Sequence, residues 1–490
     1  MTTQLPLSGD ALTKSLAYIN GEWLAADGSA VFDVLNPATG EIIAAVPDMG
    51  AAETNRAIDA ASAALTGWRA ITAKERSAVL RRWFDLINEH RDELAALITR
   101  EQGKPLSEAL GEIGYGASYI EWYAEEAKRI YGDVIPSTGA DRRFVVLKQP
   151  IGVVAAITPW NFPLAMITRK CAPALAAGCT IVLKPAEATP LSALAIAALA
   201  EQAGIPAGVL NVVTASRGDE VGKALCAHAD VRKLSFTGST AVGKLLLKQA
   251  ADTVKKVSME LGGNAPFIVF DDADVNEAVK GAMLSKFRNT GQTCICANRF
   301  LVQAGVYDEF VQKLTAAVSK LTVGNGMDDG VEQGPLINQA ALSKAERLLT
   351  DATSAGATLL TGGKLDNSGG TFLQPAVLSD VNTDMAIAKE EIFAPIAPVY
   401  KFDNDADAIA LANNTQAGLA AYFYSRDIAR IWQVAETLEY GMVGINTGVI
   451  SSEAIPFGGV KESGIGREGS HYGLDEFLEM KYVCMAGLDR

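Results

Sequence analysis

Histidine is scarce in this chain. Its three copies among 490 residues, His90, His228 and His471, lie far apart without metal-ligand spacing, so no metal site is implied. Cysteine is also sparse. Six residues (171, 179, 226, 294, 296 and 484) in so long a chain, with no secretory signal, suit reduced thiols rather than a disulfide framework. Met1 to Lys14 carries no apolar core behind a basic start, and no apolar run reaches the roughly 18 residues that a membrane span requires. These absences lead us to expect a cytoplasmic protein with no membrane partner. Basic residues are the minority, 43 against 57 acidic, for a net charge of -14; this argues against a general nucleic-acid or anionic-membrane binder, yet leaves room for one small anionic ligand. With 49% hydrophobic and 20% charged residues, the composition is that of a globular protein, and the length calls for more than one core.

The chemistry concentrates in three short segments. Asn289-Thr-Gly-Gln-Thr-Cys294-Ile-Cys296-Ala-Asn298 places Cys294 in a Gly-containing turn before a strand-like run, where a thiol is reachable enough to act as a nucleophile. Thr158-Pro159-Trp160-Asn161-Phe162-Pro163 follows the apolar run from Ile151, and Met259-Glu260-Leu-Gly-Gly-Asn264 follows another from Val254. Both sit at strand ends, where open α/β sheets gather functional groups. Taken singly, each has an ordinary alternative: a packed cysteine, a turn-forming asparagine, a surface glutamate.

Apolar residues from Val79 to Ile98 recur at three and four, which predicts amphipathic helix broken near His90. Between 151 and 270, β-branched runs at 151–158, 180–183, 209–213, 233–236 and 254–260 alternate with helical stretches, the pattern of βαβ units and a parallel sheet. A second set begins at Pro266, with a helix expected over 274–288. The junction at Leu261-Gly262-Gly263 separates Glu260 from Cys294, so a cleft between domains is expected.

Together the three segments resemble the signature of the aldehyde dehydrogenase superfamily. The likeness runs from Asn36-Pro-Ala-Thr-Gly40 through Lys389-Glu-Glu391-Ile-Phe393 to Pro456-Phe-Gly-Gly459. It implies an α/β fold of open, mostly parallel doubly wound sheets: a dinucleotide-binding domain at 1–127 and 149–261, a catalytic domain at 262–474, and an oligomerisation arm at 128–148 and 475–490, making a homodimer or homotetramer.

Two glycine-rich strings invite a nucleotide reading. Gly464-Ile-Gly-Arg-Glu-Gly469 has the dinucleotide spacing but no preceding buried strand, so it is set aside. Gly238-Ser239-Thr-Ala-Val-Gly-Lys244 nearly matches a P-loop, but Leu245 stands where the magnesium-binding hydroxyl belongs. A nucleoside-triphosphatase reading loses its metal ligand, while a strand-to-helix turn still suits a dinucleotide pyrophosphate. The resemblance assigns cofactor contacts to Thr158, Pro159, Trp160, Gly238, Ser239, Lys184, the residue at 187, Glu391 and Phe393. Ala394 replaces the family's usual glycine after that Phe. A glutamate at 187 can accept from both ribose hydroxyls and would repel a 2′-phosphate, favouring NAD over NADP.

By the same resemblance, Cys294 attacks an aldehyde as a thiolate, Asn161 and the Cys294 N–H stabilise the oxyanion, and Glu260 activates water to hydrolyse the thioester. Cys296 is a possible redox partner, since an i, i+2 pair in extended chain lies near the outer limit for a disulfide. Arg169, Arg288 and Ser451 resemble the carboxylate-binding set of the succinic-semialdehyde branch, and two guanidinium groups suit a small anionic semialdehyde. Glutaric semialdehyde, one methylene longer, is the alternative substrate. A binding or structural protein without catalysis is disfavoured by the joint presence of Cys294, Glu260 and Asn161.

Overall fold

The computed structural model describes residue 12 and residues 14–488. Most of the Met1–Lys14 segment read above, and Asp489 and Arg490 of the expected arm, lie outside the described residues. Two large sheets form the body. The first has five parallel strands in spatial order Leu210–Val212, Thr180–Lys184, Val153–Ile157, Val231–Thr237 and Lys256–Glu260. Thr180–Lys184 is buried along its whole length, as expected of a strand covered by helices on both faces. Among these five the order begins at the middle strand, Val153–Ile157, winds outward one way, then returns and winds the other. This reversal opens a crevice between Val153–Ile157 and Val231–Thr237, at whose carboxyl ends ligands bind in doubly wound sheets.

The second sheet runs Thr358–Thr361, Ala376–Ser379, Ile396–Phe402, Ala297–Gln303, Ala265–Val269, Ala420–Tyr424 and Met442–Ile445, parallel except for its first strand. The break at His90 falls between helices Ala73–Glu89 and Arg91–Gln102. Asp274 caps helix Val275–Lys286 by accepting from the Asn276 and Glu277 N–H groups, an N-cap choice that satisfies two otherwise unpaired donors.

Strands Asp133–Ile135, Arg143–Pro150 and Leu478–Met485 form a separate antiparallel sheet. It leaves Val134 (79%) and Met480 (76%) exposed. One boundary differs from the expected division. Gly464–Ile465 adds an antiparallel edge strand to the first sheet, with Glu260 opposite Gly464, and Leu474 joins the core of that unit. The stretch from 464 to 474, placed with the catalytic domain on sequence grounds, therefore packs on the first sheet. The dinucleotide-like string is that edge strand and its turn: a Cβ at Gly464 (φ +145) would lie 1.9 Å from the Met259 carbonyl oxygen, so only glycine fits. Among the described residues no helix is long and apolar enough to cross a membrane, and no cluster of three or more potential metal ligands occurs.

Candidate active site

A cavity of about 490 Å³ lies where the carboxyl ends of the first sheet meet the second. It is lined by Asn161, Glu260 and Cys294, by Arg169, Arg288 and Ser451, and by Pro159, Trp160, Gly238, Ser239, Glu391 and Phe393. Residues scattered over most of the sequence thus converge on one space. Thr158, Lys184 and Glu187 do not line it; they stand at neighbouring strand ends, where the Thr158 N–H donates to the Lys184 carbonyl at 3.1 Å.

The nucleophile loop is strained and held. After helix Val275–Lys286 the backbone turns left-handed at Asn289 (φ 51), Thr290 (φ 54) and Gly291 (φ 72). This conformation is tolerable for asparagine and costly for β-branched threonine. A Cβ at Gly291 would come within 2.4 Å of the Ala394 carbonyl oxygen, so the loop packs directly on the segment carrying Phe393. Asn289 Nδ2 donates to the carbonyls of Asn161 (2.9 Å) and Gln292 (3.3 Å), while its backbone N–H donates to Glu108 Oε2 at 2.8 Å.

Asn161 is fixed from both ends. Its Nδ2 donates to the Gln292 carbonyl at 3.0 Å, which orients the amide and leaves one N–H for an oxyanion. Lys104 Nζ donates to the Asn161 carbonyl at 2.7 Å and to Glu112 at 2.6 Å, and Glu112 in turn accepts the Leu164 and Ala165 N–H groups.

Cys294 is half-buried in the turn. Burial pushes its thiol up to about 12, with Glu391 and Glu260 adding to the effect and Arg169 opposing it. The raised value keeps the proton on sulfur at rest, so Cys294 must lose it before the attacking thiolate of the expected mechanism forms. Glu260 ends its strand only 3% exposed, and neither carboxylate oxygen has a hydrogen-bond partner among the described residues. Its pKa is raised well above the ordinary range by burial and by Glu468, against the pull of Arg169, Lys170 and Arg467. Cys296 is buried, its Sγ 3.6 Å from the Lys286 carbonyl, which it meets as a donor. The Cys296 N–H closes a turn onto the Thr293 carbonyl at 3.0 Å, so the two cysteines do not stand in extended chain as the disulfide argument assumed.

The arginines differ in kind. Arg169 is buried on the cavity wall, with Nη2 2.7 Å from Glu468 Oε2 and its guanidinium 4.0 Å from the Phe457 ring centre, while its Nε has no hydrogen-bond partner among the described residues. Lys170 binds the other oxygen of Glu468. Arg288 is half-buried, 5.4 Å from the Phe162 ring centre, and makes no direct ion pair among the described residues. Ser451 is half-buried on the same wall.

The crevice fits a dinucleotide. Ser239 accepts the Val242 N–H and so opens helix Thr240–Ala251 at the carboxyl end of a central strand, a favourable seat for phosphate. A Cβ at Gly262 would lie 2.8 Å from Glu391 Oε2, and Glu391 Oε1 accepts the Gly263 N–H at 3.0 Å. Phe393 (φ 54) meets Trp160 edge-on at 5.6 Å, and Ala394 is buried behind it. Lys184 Nζ lies 3.4 Å from the exposed Glu187. When NAD or NADP is bound, its nicotinamide supplies a hydride acceptor.

The sequence reading gave no role to Lys104, Glu108, Glu112, Lys170 or Glu468. The acid pair at i, i+4 following Gly103-Lys104-Pro105 was an available signal. Glu468 was hidden inside the string read as a nucleotide decoy.

A doubly wound sheet with a cysteine, a buried unpaired glutamate and a fixed amide around one cavity defines a thiol-dependent oxidoreductase site on a dinucleotide-binding scaffold. The aldehyde dehydrogenase family model matches residues 23–483, and the chain belongs to that family. It is 61% identical over 482 residues to glutarate-semialdehyde dehydrogenase of Pseudomonas putida, covering 98% of this chain and 100% of that one. Succinate-semialdehyde dehydrogenase NADP(+) of Escherichia coli is 60% identical over 481 residues, covering 98% of this chain and 100% of that one. The crystal structure of succinate-semialdehyde dehydrogenase from Burkholderia pseudomallei superposes with TM-score 0.97 at 61% identity, covering 98% of this chain and 99% of that one.

Proposed function

We propose that this chain oxidises succinic semialdehyde to succinate with NAD or NADP. The observation that carries the reading is Arg288, a guanidinium without an ion pair that shares a cavity with Cys294 and Ser451. A half-buried cation with no direct ion pair among the described residues is best matched by a carboxylate on the far end of the substrate.

In this reading Cys294 gives up its proton to solvent, and the sulfur adds to the aldehyde carbon. The remaining Asn161 N–H and the Cys294 backbone N–H hold the oxyanion, a type of contact worth about 2.7–4 kcal/mol. Loss of hydride from the thiohemiacetal leaves a thioester on Cys294. Glu260, still ionised, then deprotonates the water that hydrolyses it, and its unpaired oxygens suit that proton transfer.

Glutaric semialdehyde is the second reading, favoured by the name of the Pseudomonas putida relative; one methylene shifts selectivity by only about 10–200-fold. Glu187 beside Lys184 favours NAD. The exposed apolar side chains of the three-stranded arm suit a homodimer or homotetramer, and the reading is of a cytoplasmic enzyme. Absorbance at 340 nm with succinic, glutaric and uncharged four-carbon aldehydes tests the substrate assignment. Succinic semialdehyde should give the highest kcat/KM, and a higher value for butanal would overturn the assignment.

A further inference from the structure

Glu108 lines the same cavity as Arg288 and has no part in the chemistry above. It sits in the first turn of helix Leu106–Glu126. Oε2 accepts the Asn289 N–H at 2.8 Å, one residue from Arg288, whereas Oε1 makes no hydrogen bond among the described residues. The groups facing it are Lys104, Glu112, Tyr115 and Arg288.

Two other cations here have carboxylates within ion-pair distance: Lys104 is 2.6 Å from Glu112, and Arg169 Nη2 is 2.7 Å from Glu468. Glu108 and Arg288 line the same cavity without a direct ion pair among the described residues, and Arg288 draws the Glu108 pKa down. With Glu108 ionised, its charge offsets part of the attraction of Arg288 for an arriving carboxylate, in a half-buried space. With Glu108 protonated, Arg288 is unopposed, and Oε1 can carry a proton to donate to the substrate carboxylate.

We propose that Glu108 takes up one proton from solvent when an anionic aldehyde binds beside Arg288, and so sets the charge selectivity of the site. The inference rests on the proposed anionic substrate. Burial raises the Glu108 pKa, while Lys104, the Asn289 N–H and Arg288 pull it back. The carboxyl therefore titrates above its ordinary value but below that of the substrate complex, where the second carboxylate raises it further. Binding of the anion is strongest below the free-enzyme pKa and weakens as pH rises through it.

The test is the ratio of kcat/KM for succinic semialdehyde to kcat/KM for butanal, measured from about pH 5.5, where the substrate carboxyl is ionised, to about pH 9. Titrations of Cys294 and Glu260 cancel in this ratio. It should fall by up to about tenfold per pH unit across the Glu108 transition, and in Glu108→Gln, which keeps an acceptor for the Asn289 N–H, it should be flat. A slope unchanged in the variant overturns the inference. A wild-type ratio near one at every pH would instead overturn the anionic-substrate reading itself. Calorimetry on the wild-type enzyme with butyrate, in two buffers of different ionisation enthalpy, gives a readout that needs no variant. Uptake of a proton fraction that disappears at low pH is expected, and zero uptake at every pH overturns the proposal.

Discussion

Arg169 Nη2 lies 2.7 Å from Glu468 Oε2, with both side chains buried. This pair makes Arg169, which also lines the cavity, a counter-charge of the carboxylate that helps raise the Glu260 pKa. Arg169→Ala should therefore leave Glu468 short of a partner in the interior, a change that typically costs about 3–5 kcal/mol. The expected result is a lower melting temperature and similar losses of kcat/KM for succinic semialdehyde and butanal. Selective loss on the anionic substrate alone would return Arg169 to the carboxylate-binding role.

The two neighbouring cysteines should behave differently. Only Cys294 lines the cavity, whereas Cys296 turns its sulfur toward the Lys286 carbonyl. Cys294→Ala should abolish aldehyde oxidation, and Cys296→Ala should retain most of it. Equal loss in both would reject the assignment of the nucleophile.

Glu260 gives a pH dependence with a definite sign. Its pKa is raised, chiefly by burial, so at low pH it is protonated and cannot activate water. Under conditions where deacylation limits turnover, kcat should climb as Glu260 ionises and then level off. Glu260→Gln should show a burst of reduced cofactor followed by slow turnover, without that rise. Absence of a burst would contradict a role confined to water activation.

Much of this site is legible locally. A nucleophile before a strand, an asparagine and a glutamate at strand ends, and alternating β-branched runs are patterns a few residues long, and the five parallel strands fall where those runs predict. What could not be read depends on distant pairing. Glu468 lies 298 positions from Lys170, and no periodicity links them. The return of 464–474 to the first sheet is likewise set by Gly464 fitting against Met259, a contact without a local signature. The neutral Cys294 thiol follows from burial and two nearby carboxylates, which exist only once the chain has folded.

Cofactor choice turns on Glu187, exposed beside the buried Lys184. The wild-type enzyme should show a higher kcat/KM with NAD than with NADP, and Glu187→Ala should narrow the difference by removing a negative charge near the 2′ position. A wild-type preference for NADP would refute the charge argument.

The most direct measurement compares Arg288→Ala with the wild-type enzyme on two aldehydes, succinic semialdehyde and butanal. Removing one partner of a desolvated charge-assisted contact typically costs about 2–5 kcal/mol, and about 1.4 kcal/mol is tenfold. The account predicts a fall of at least about thirtyfold in kcat/KM for succinic semialdehyde, with butanal little affected. Equal losses on both would mean that Arg288 supports the strained cysteine loop and does not read the substrate carboxylate.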